Sequence, residues 1–433
     1  MRRSRTRSSI TVIRPLPWAL VLLVAACGDP SGPGDDPTPI TELPRDLSAS
    51  EVAVIADANA FGFDLMKALL EKDGRPNIVL SPLSASMALG MTLNGARSQT
   101  FEEMRSALRF AALSQEEIND AYRGLIDLLT ELDPEVRFDI ANSIWARLGV
   151  PIEPAFLEVV REAFDARTET RDFSDPSTVN EINRWVREST EGLIDGIVDS
   201  LDPTVVMLLV NAIYFDGAWS TRFEPEDTHQ GEFTRSDGST VTVDMMSLEG
   251  VELPLDGGQG YAAVELPYGG GAYSMVIAVP HPGVDVRDFL RTLDSGGWAA
   301  LVAGLTPTKV DLVSIPRFVL SYDAYLNDAL KAMGMEGAFE PGADFTGLSQ
   351  LGDQMCIDFV RQKTFIEVDE RGTRAAAVTG VGVGATSFLG VVADRPFAFA
   401  LRERLSGTIL FMGTVGDPTS DDPGPDPYVD TCE

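Results

Sequence analysis

Histidine is almost missing: the 433 residues hold two, His229 and His281. Neither has a second histidine at i+4, and His281 sits in Pro280-His281-Pro282-Gly283, a turn composition. A histidine-based zinc site or a Ser-His-Asp triad would have to rest on one of these two. No Gly-x-Ser-x-Gly elbow occurs. The run Gly380-Val381-Gly382-Val383-Gly384 opens like a dinucleotide fingerprint, but the third glycine is at the wrong spacing and Pro396, not a helix, lies ahead. These absences speak against ordinary hydrolase and dehydrogenase chemistry, and neither a cofactor nor a metal site is expected.

Positive charge is scarce as well. Lys plus Arg number 34 against 66 Asp plus Glu, a net charge of −32. Residues 1–26 contain five arginines and no acid, so without them the net charge is −37. A phosphate backbone would be repelled, and nucleic acid is not expected as a partner. Those five arginines (Arg2, Arg3, Arg5, Arg7 and Arg14) form a basic N-terminal region. An apolar run from Leu16 to Ala26 follows, interrupted by Pro17 and too short to span a bilayer. It ends in Val24-Ala25-Ala26-Cys27, which resembles a bacterial lipoprotein cleavage site. On that resemblance residues 1–26 are a signal peptide and Cys27 carries a lipid that holds the exported chain to a membrane. The other reading is an ordinary signal peptide followed by an incidental cysteine. Gly28 gives no inner-membrane retention signal, so the outer membrane or cell surface is the expected location, and otherwise the extracellular space.

Cysteine is the third scarcity. With Cys27 assigned to lipid, Cys356 and Cys432 are left as one pair in an exported chain, either a disulfide or two free thiols. Residues 27–47, rich in Gly, Pro, Asp and Ser, suit a flexible linker, and residues 419–433 form a Pro- and Asp-rich acidic tail. Between them, residues 48–418 carry no internal repeat or linker and are expected to form one domain.

The pattern within that domain changes along the chain. Ser48-x-x-Glu51 is a capping-box signal, followed by Val54, Ile55, Ala58, Phe61, Leu65 and Leu69 at helical spacing up to Asp73-Gly74. Thr100-x-x-Glu103 predicts a second helix start, and residues 151–200 read mainly as helix with loops. The second half shifts to strands: Val205–Phe215, Tyr261–Tyr268, Tyr273–Pro280, Asp311–Leu320, Lys363–Asp369, Phe397–Arg402 and Thr408–Val415. Helices first and strands later imply an α+β fold.

One segment departs from the rest. From Ala375 to Ala393 there are nineteen uncharged residues in a row, four of them Gly, in a chain that is 23% charged. The glycines spoil a helix, and a single strand of that length is too long for the domain. A membrane span here would cut the core in two. Every second residue from Thr373 gives Thr373, Ala375, Ala377, Thr379, Val381 and Val383, all small or β-branched. The alternate set carries Arg374 and three glycines. The segment is written as a strand that can be buried, about 45 Å long over Thr373–Thr386, yet it lies in a connection that reads as exposed. A stretch suited to both states implies a bistable protein.

At this point the residues resemble the serpin family, serine protease inhibitors, over nearly the whole mature chain. The resemblance rests on Asn77-Ile78-Val79-Leu80-Ser81-Pro82-Leu83-Ser84 and on Asn211-Ala212-Ile213-Tyr214-Phe215-Asp216-Gly217-Ala218-Trp219 with Phe223, Thr228 and Phe233. It rests also on Glu265-Leu266-Pro267-Tyr268, Ile315-Pro316-Arg317-Phe318, Gly347, Arg395-Pro396-Phe397 and Gly407-Thr408-Ile409-Leu410-Phe411-Met412-Gly413. Glu367 to Ala377 resembles the hinge of the family's reactive loop.

The resemblance implies three β-sheets, eight or nine helices and an exposed reactive-centre loop, here about residues 370–393. It implies a suicide inhibitor: a protease forms an acyl-enzyme with the loop, which then inserts as a strand and distorts the trapped protease. Glu370, Gly372, Thr373, Ala375, Ala376 and Ala377 are the implied hinge. Counting seventeen positions from Glu370 puts the scissile bond at Thr386–Ser387; a loop one residue shorter gives Ala385–Thr386, and Phe388 offers a chymotrypsin-like alternative. Small residues there imply elastase- or subtilisin-like targets. The expected partner is a serine-type protease in a covalent complex with a monomeric inhibitor that is not itself an enzyme. Ser81, Ser84 and Asn211 are expected to hydrogen-bond beneath the sheet, Arg317 to pair with Glu370, and Trp219 to pack at the sheet top. Gln362 stands where many relatives have His, so the buried network must differ there. The alternative within the family is a non-inhibitory binding or scaffold protein at the cell surface.

Overall fold

The computed structural model describes residues 39–202, 205–372, 389–420 and 424. The first part runs α1 (Ala49–Lys72), β1 (Ile78–Leu80), α2 (Pro82–Leu93), α3 (Ser98–Ala107), α4 (Gln115–Thr130), β2 (Val136–Arg147), α5 (Pro154–Phe164), β3 (Arg167–Arg171) and α6 (Pro176–Ser189). The middle runs β4 (Met207–Gly217), β5 (His229–Thr234), β6 (Thr240–Glu249), β7 (Glu252–Asp256), β8 (Tyr261–Tyr268), β9 (Tyr273–Pro280), α7 (Val286–Thr292) and α8 (Ser295–Gly304). The last part runs β10 (Thr306–Lys309), β11 (Leu312–Pro316), β12 (Phe318–Tyr325), α9 (Asn327–Ala332), β13 (Arg361–Val368), β14 (Gly390–Val392), β15 (Phe397–Glu403) and β16 (Ile409–Val415). The α+β expectation is met, with nine α-helices among the described residues.

Local chemistry explains the boundaries. Ser48 caps α1 through the foreseen capping box with Glu51, and Arg45 completes the cap by gripping the Glu51 carboxylate. The start expected at Thr100 is corrected: α3 begins two residues earlier, and the Thr100 hydroxyl accepts instead from the Asp344 N–H at 2.9 Å. Residues 151–200 contain α5 and α6 but also β3, which pairs in parallel with β2. The single strand expected over Asp311–Leu320 is two strands, β11 and β12, in different sheets. Pro316 ends the first, having no N–H to offer a ladder. The next N–H, on Arg317, donates to the Asp244 carbonyl at 2.7 Å, so the chain turns out of one sheet and into another at the residue expected to carry an ion pair.

Four hydrogen-bonded strand groups result. One has seven strands in the order β1-β16-β15-β9-β8-β7-β10, and one has four in the order β14-β11-β6-β5. The other two are the pair β12-β13 and the triplet β3-β2-β4. Bridges at Ala218–Gly372 join the last two groups at one end, just beyond β4 and β13. They are therefore the halves of one main sheet, and the three-sheet expectation holds with that sheet divided along its length. β4 separates two apolar clusters. Its Leu208 and Val210 pack with Trp145, Ile182, Trp185 and Val186 under α6, while Met207, Leu209 and Ile213 face the large central core. That is why the sequence reads as a near-continuous apolar run there.

Candidate functional site

The divided sheet defines the site. Among the described residues no ladder joins β4 to β13, so each presents one edge of backbone N–H and C=O groups to the gap. Unpaired edges of this kind are templates for a further strand. At the lower end the gap widens into a cavity of about 340 Å³, bounded by Val205–Asn211, by Cys356–Gln362 and by Ser84, Ala88 and Thr92 of α2.

The upper end is clamped. After β13 the chain makes a tight reversal in which Asp369 and Gly372 exchange both backbone hydrogen bonds, at 3.0 and 3.3 Å. Gly372 has φ 143° and lies so close to β4 that an added Cβ would stand 2.0 Å from the Gly217 carbonyl oxygen. Only glycine permits that backbone approach. Trp219 fixes the turn from the other side: its N–H donates to the Arg371 carbonyl at 2.7 Å and its indole Nε1 to the Asp369 carbonyl at 2.8 Å. The indole stacks on Tyr268, centroids 4.2 Å apart, so the expected packing residue is also a two-point clasp.

Glu370, at the tip of the reversal, is 1% exposed. Its carboxylate accepts from Arg317 through Nε and Nη2, and from the Thr228 hydroxyl at 2.6 Å. Burial pushes the carboxyl up, but the Arg317 and Thr228 donors outweigh it and hold Glu370 below its ordinary value. Arg317 also lies 3.5 Å from Asp244. The expected Arg317–Glu370 pair is thus formed, and it is half buried rather than solvated.

Midway down, two separate polar networks face each other across the gap. On one side Gln362 of β13 accepts from the Ser81 N–H and donates to the Ser81 carbonyl, both at 3.0 Å. Ser81 in turn caps α2, its hydroxyl accepting from the Ser84 N–H at 3.2 Å. On the other side Asn211 of β4 donates to Asn142 of β2 at 2.7 Å, and Asn142 donates to the Phe164 carbonyl. Sequence reasoning missed Asn142; its one signal was an amide inside the strand run Ile140-Ala141-Asn142-Ser143-Ile144. Elsewhere the motifs find structural duties. Glu265, buried, accepts from Arg402 at 2.7 Å and Ser274 at 2.7 Å. Asn77 accepts from the Gly416 and Asp417 N–H groups, locking the segment after β16 to β1.

The remaining expected residues fall outside the described ones. Thr373, Ala375, Ala376 and Ala377 of the hinge, Ala385, Thr386, Ser387 and Phe388 of the reactive segment, Cys27 and Cys432 all do. Cys356 is disulfide-bonded, and the chain's other two cysteines are Cys27 and Cys432.

Comparison with known proteins gives the same answer from three directions. A family model described as "Serpin (serine protease inhibitor)" matches residues 56–418. Human neuroserpin is 33% identical over 381 residues, 84% of this chain and 91% of that protein. An uncharacterized serpin-like protein of Thermococcus kodakarensis is 33% identical over 425 residues, 92% of this chain and 97% of its own length. Among solved structures, the native state of tengpin, a thermophilic serpin, matches with TM-score 0.75 and 32% identity, covering 88% of this chain and 97% of that one.

Proposed function

The chain belongs to the serpin family, and on that premise we propose that it is a suicide inhibitor of serine-type endopeptidases of elastase-, subtilisin- or chymotrypsin-like preference. The observation that carries the reading is the parted main sheet, in which no ladder joins β4 to β13 among the described residues, with the Asp369–Gly372 turn at the upper end of the gap. The protease's nucleophilic oxygen adds to the Thr386 carbonyl carbon. The Thr386–Ser387 peptide bond breaks, the Ser387 amine takes the proton and leaves, and Thr386 stays as the acyl ester. Residues from Thr373 onward then enter the gap and carry the acylated protease with them before water can reach the ester. Inhibition is a race between insertion and hydrolysis, so small residues at Thr373, Ala375 and Ala377 favour the inhibitor over the non-inhibitory alternative.

The test is to mix the full chain with elastase, subtilisin, chymotrypsin and trypsin and resolve the products on a denaturing gel. A persistent covalent band with one or more of the first three is expected, converted to clean cleavage by Ala375→Pro or Thr373→Arg. Cleavage of the unaltered chain with no band would leave the scaffold reading in its place.

The chain acts as an exported monomer held to the outer membrane or cell surface by lipid on Cys27, with Cys356 and Cys432 as its disulfide. Radiolabelled fatty acid should mark the unaltered chain and not Cys27→Ser; equal labelling of both would exclude the anchor.

A further inference from the structure

Arg361, the first residue of β13, divides its guanidinium between two elements. Nε and Nη2 grip Asp323 of β12, both at 2.8 Å. Nη1 reaches the other way, to the Ile197 carbonyl at 2.9 Å and the Asp199 carboxylate at 2.8 Å. Those two acceptors lie on the chain that leaves α6, and α6 packs on the opposite half of the main sheet, over Trp145, Leu208 and Val210.

The connection after α6 therefore reaches from one half of the sheet to the other. Glu191 (φ 49°) and Gly192 (φ 84°) turn the chain out of the helix. Asn183 of α6 holds it on the β4 side. Its Oδ1 accepts from the Ile197 and Val198 N–H groups at 2.9 and 3.0 Å, and its Nδ2 donates to the Val198 carbonyl at 2.6 Å. A Cβ on Gly196 would stand 2.5 Å from Asn183 Cγ, so this close seat favours glycine. On the β13 side Arg361 holds Ile197 and Asp199, and Phe359 and Phe365 pack against the cluster that Ile194 and Val198 form with α6. Ile197 and Val198 also line the cavity at the lower end of the gap, whose other walls are β4, β13 and α2. The connection is a strap fastened to both halves.

A strand entering between β4 and β13 would set alternate side chains on both faces of the sheet. Those on the α6 face would meet the strap, and a close-packed cover leaves them no room. We propose that Arg361 is the bolt of this strap, a positioning residue whose hold on Ile197 and Asp199 sets the rate at which the gap admits a strand. This rests on the insertion reading above. Arginine suits the task because its fork serves Asp323 and the strap at once, whereas the single ammonium of a lysine does not span both.

The test uses the full-length chain with a saturating amount of the protease that traps it, and times the appearance of the covalent band in quenched samples. Arg361→Lys should trap about 5-fold faster. Asp199→Ala should trap about 2-fold faster, the smaller gain reflecting an exposed carboxylate. Asn59→Ala removes two hydrogen bonds between α1 and the start of β16 and controls for plain loss of stability. It should trap at the unaltered rate. Amide exchange at Ile197 and Val198 should quicken in Arg361→Lys and Asp199→Ala but not in Asn59→Ala. Should Arg361→Lys not fold, Asp199→Ala decides alone. Equal trapping rates in all the proteins, slower trapping in the strap variants, or equal acceleration in Asn59→Ala would overturn the bolt and leave insertion standing. An unaltered chain that forms no covalent band with any of the proteases overturns both.

Discussion

Glu370 holds a negative charge where almost no water reaches it, and three donor atoms from Arg317 and Thr228 make that tolerable. Its folded pKa lies below the ordinary 4.5, so its contribution to stability is fully present above that value and fades as pH falls through the lower folded one. Glu370→Gln should remove that part of the acid dependence, giving a shallower fall in melting temperature below pH 4.5. At neutral pH it should cost about 3 kcal/mol, because Arg317 loses its buried partner. Parallel acid-melting curves for the two proteins would show that the pair does not sense pH. The identities of both residues were legible in the sequence, through motifs 53 residues apart. Their burial was not, because it depends on Pro316 breaking a strand and on Thr228 closing over the carboxylate from a third segment. Asn142 was illegible for a similar reason: an amide inside a strand is unremarkable until its cross-strand partner, Asn211, is known.

At the scale of elements, β13 is attached to the body of the protein from beneath as well as along its edge. Gln362 holds both backbone groups of Ser81, and Thr364 donates to the Val79 carbonyl at 3.1 Å, so two of its inward residues rest on the β1–α2 junction. Gln362→Leu keeps the volume roughly and strands the Ser81 N–H in the core, while the Ser81 carbonyl keeps its bond from the Ala85 N–H at 3.1 Å. One unsatisfied buried group should cost about 2 kcal/mol, read as a lower denaturation midpoint of the intact chain. A midpoint unchanged from the unaltered protein would mean that β13 is held by its ladder with β12 alone. Apolar patterning revealed β13 by its period-two alternation, which matches one buried face, and β8 and β9 as apolar runs, which match strands buried on both faces over most of their length. It failed at Asp311–Leu320, where apolar character continues straight across a change of sheet. It failed at Thr100 because a capping signal cannot compete with a tertiary donor, the Asp344 N–H, that sequence does not place nearby.

The whole molecule is built around an incomplete sheet, and that incompleteness has a consequence for every backbone group along the gap. Amides of β4 that point toward β2, and amides of β13 that point toward β12, sit in closed ladders. Those that point into the gap have no ladder partner among the described residues. Free edge amides exchange with solvent through small local openings, whereas paired ones wait for larger cooperative ones. Hydrogen exchange on the intact chain should therefore split each of these two strands into fast and slow amides in alternation. After a nick in the loop, the inserted strand would supply partners to both edges at once, and the fast set should slow by orders of magnitude while the already slow set changes little. The effect should be confined to β4 and β13 and should leave the seven-stranded sheet untouched, since its ladders involve neither of those strands. A nicked chain whose gap-facing amides still exchange at the intact rate would mean that the edges stay open, and that the divided sheet serves some purpose other than taking up a strand.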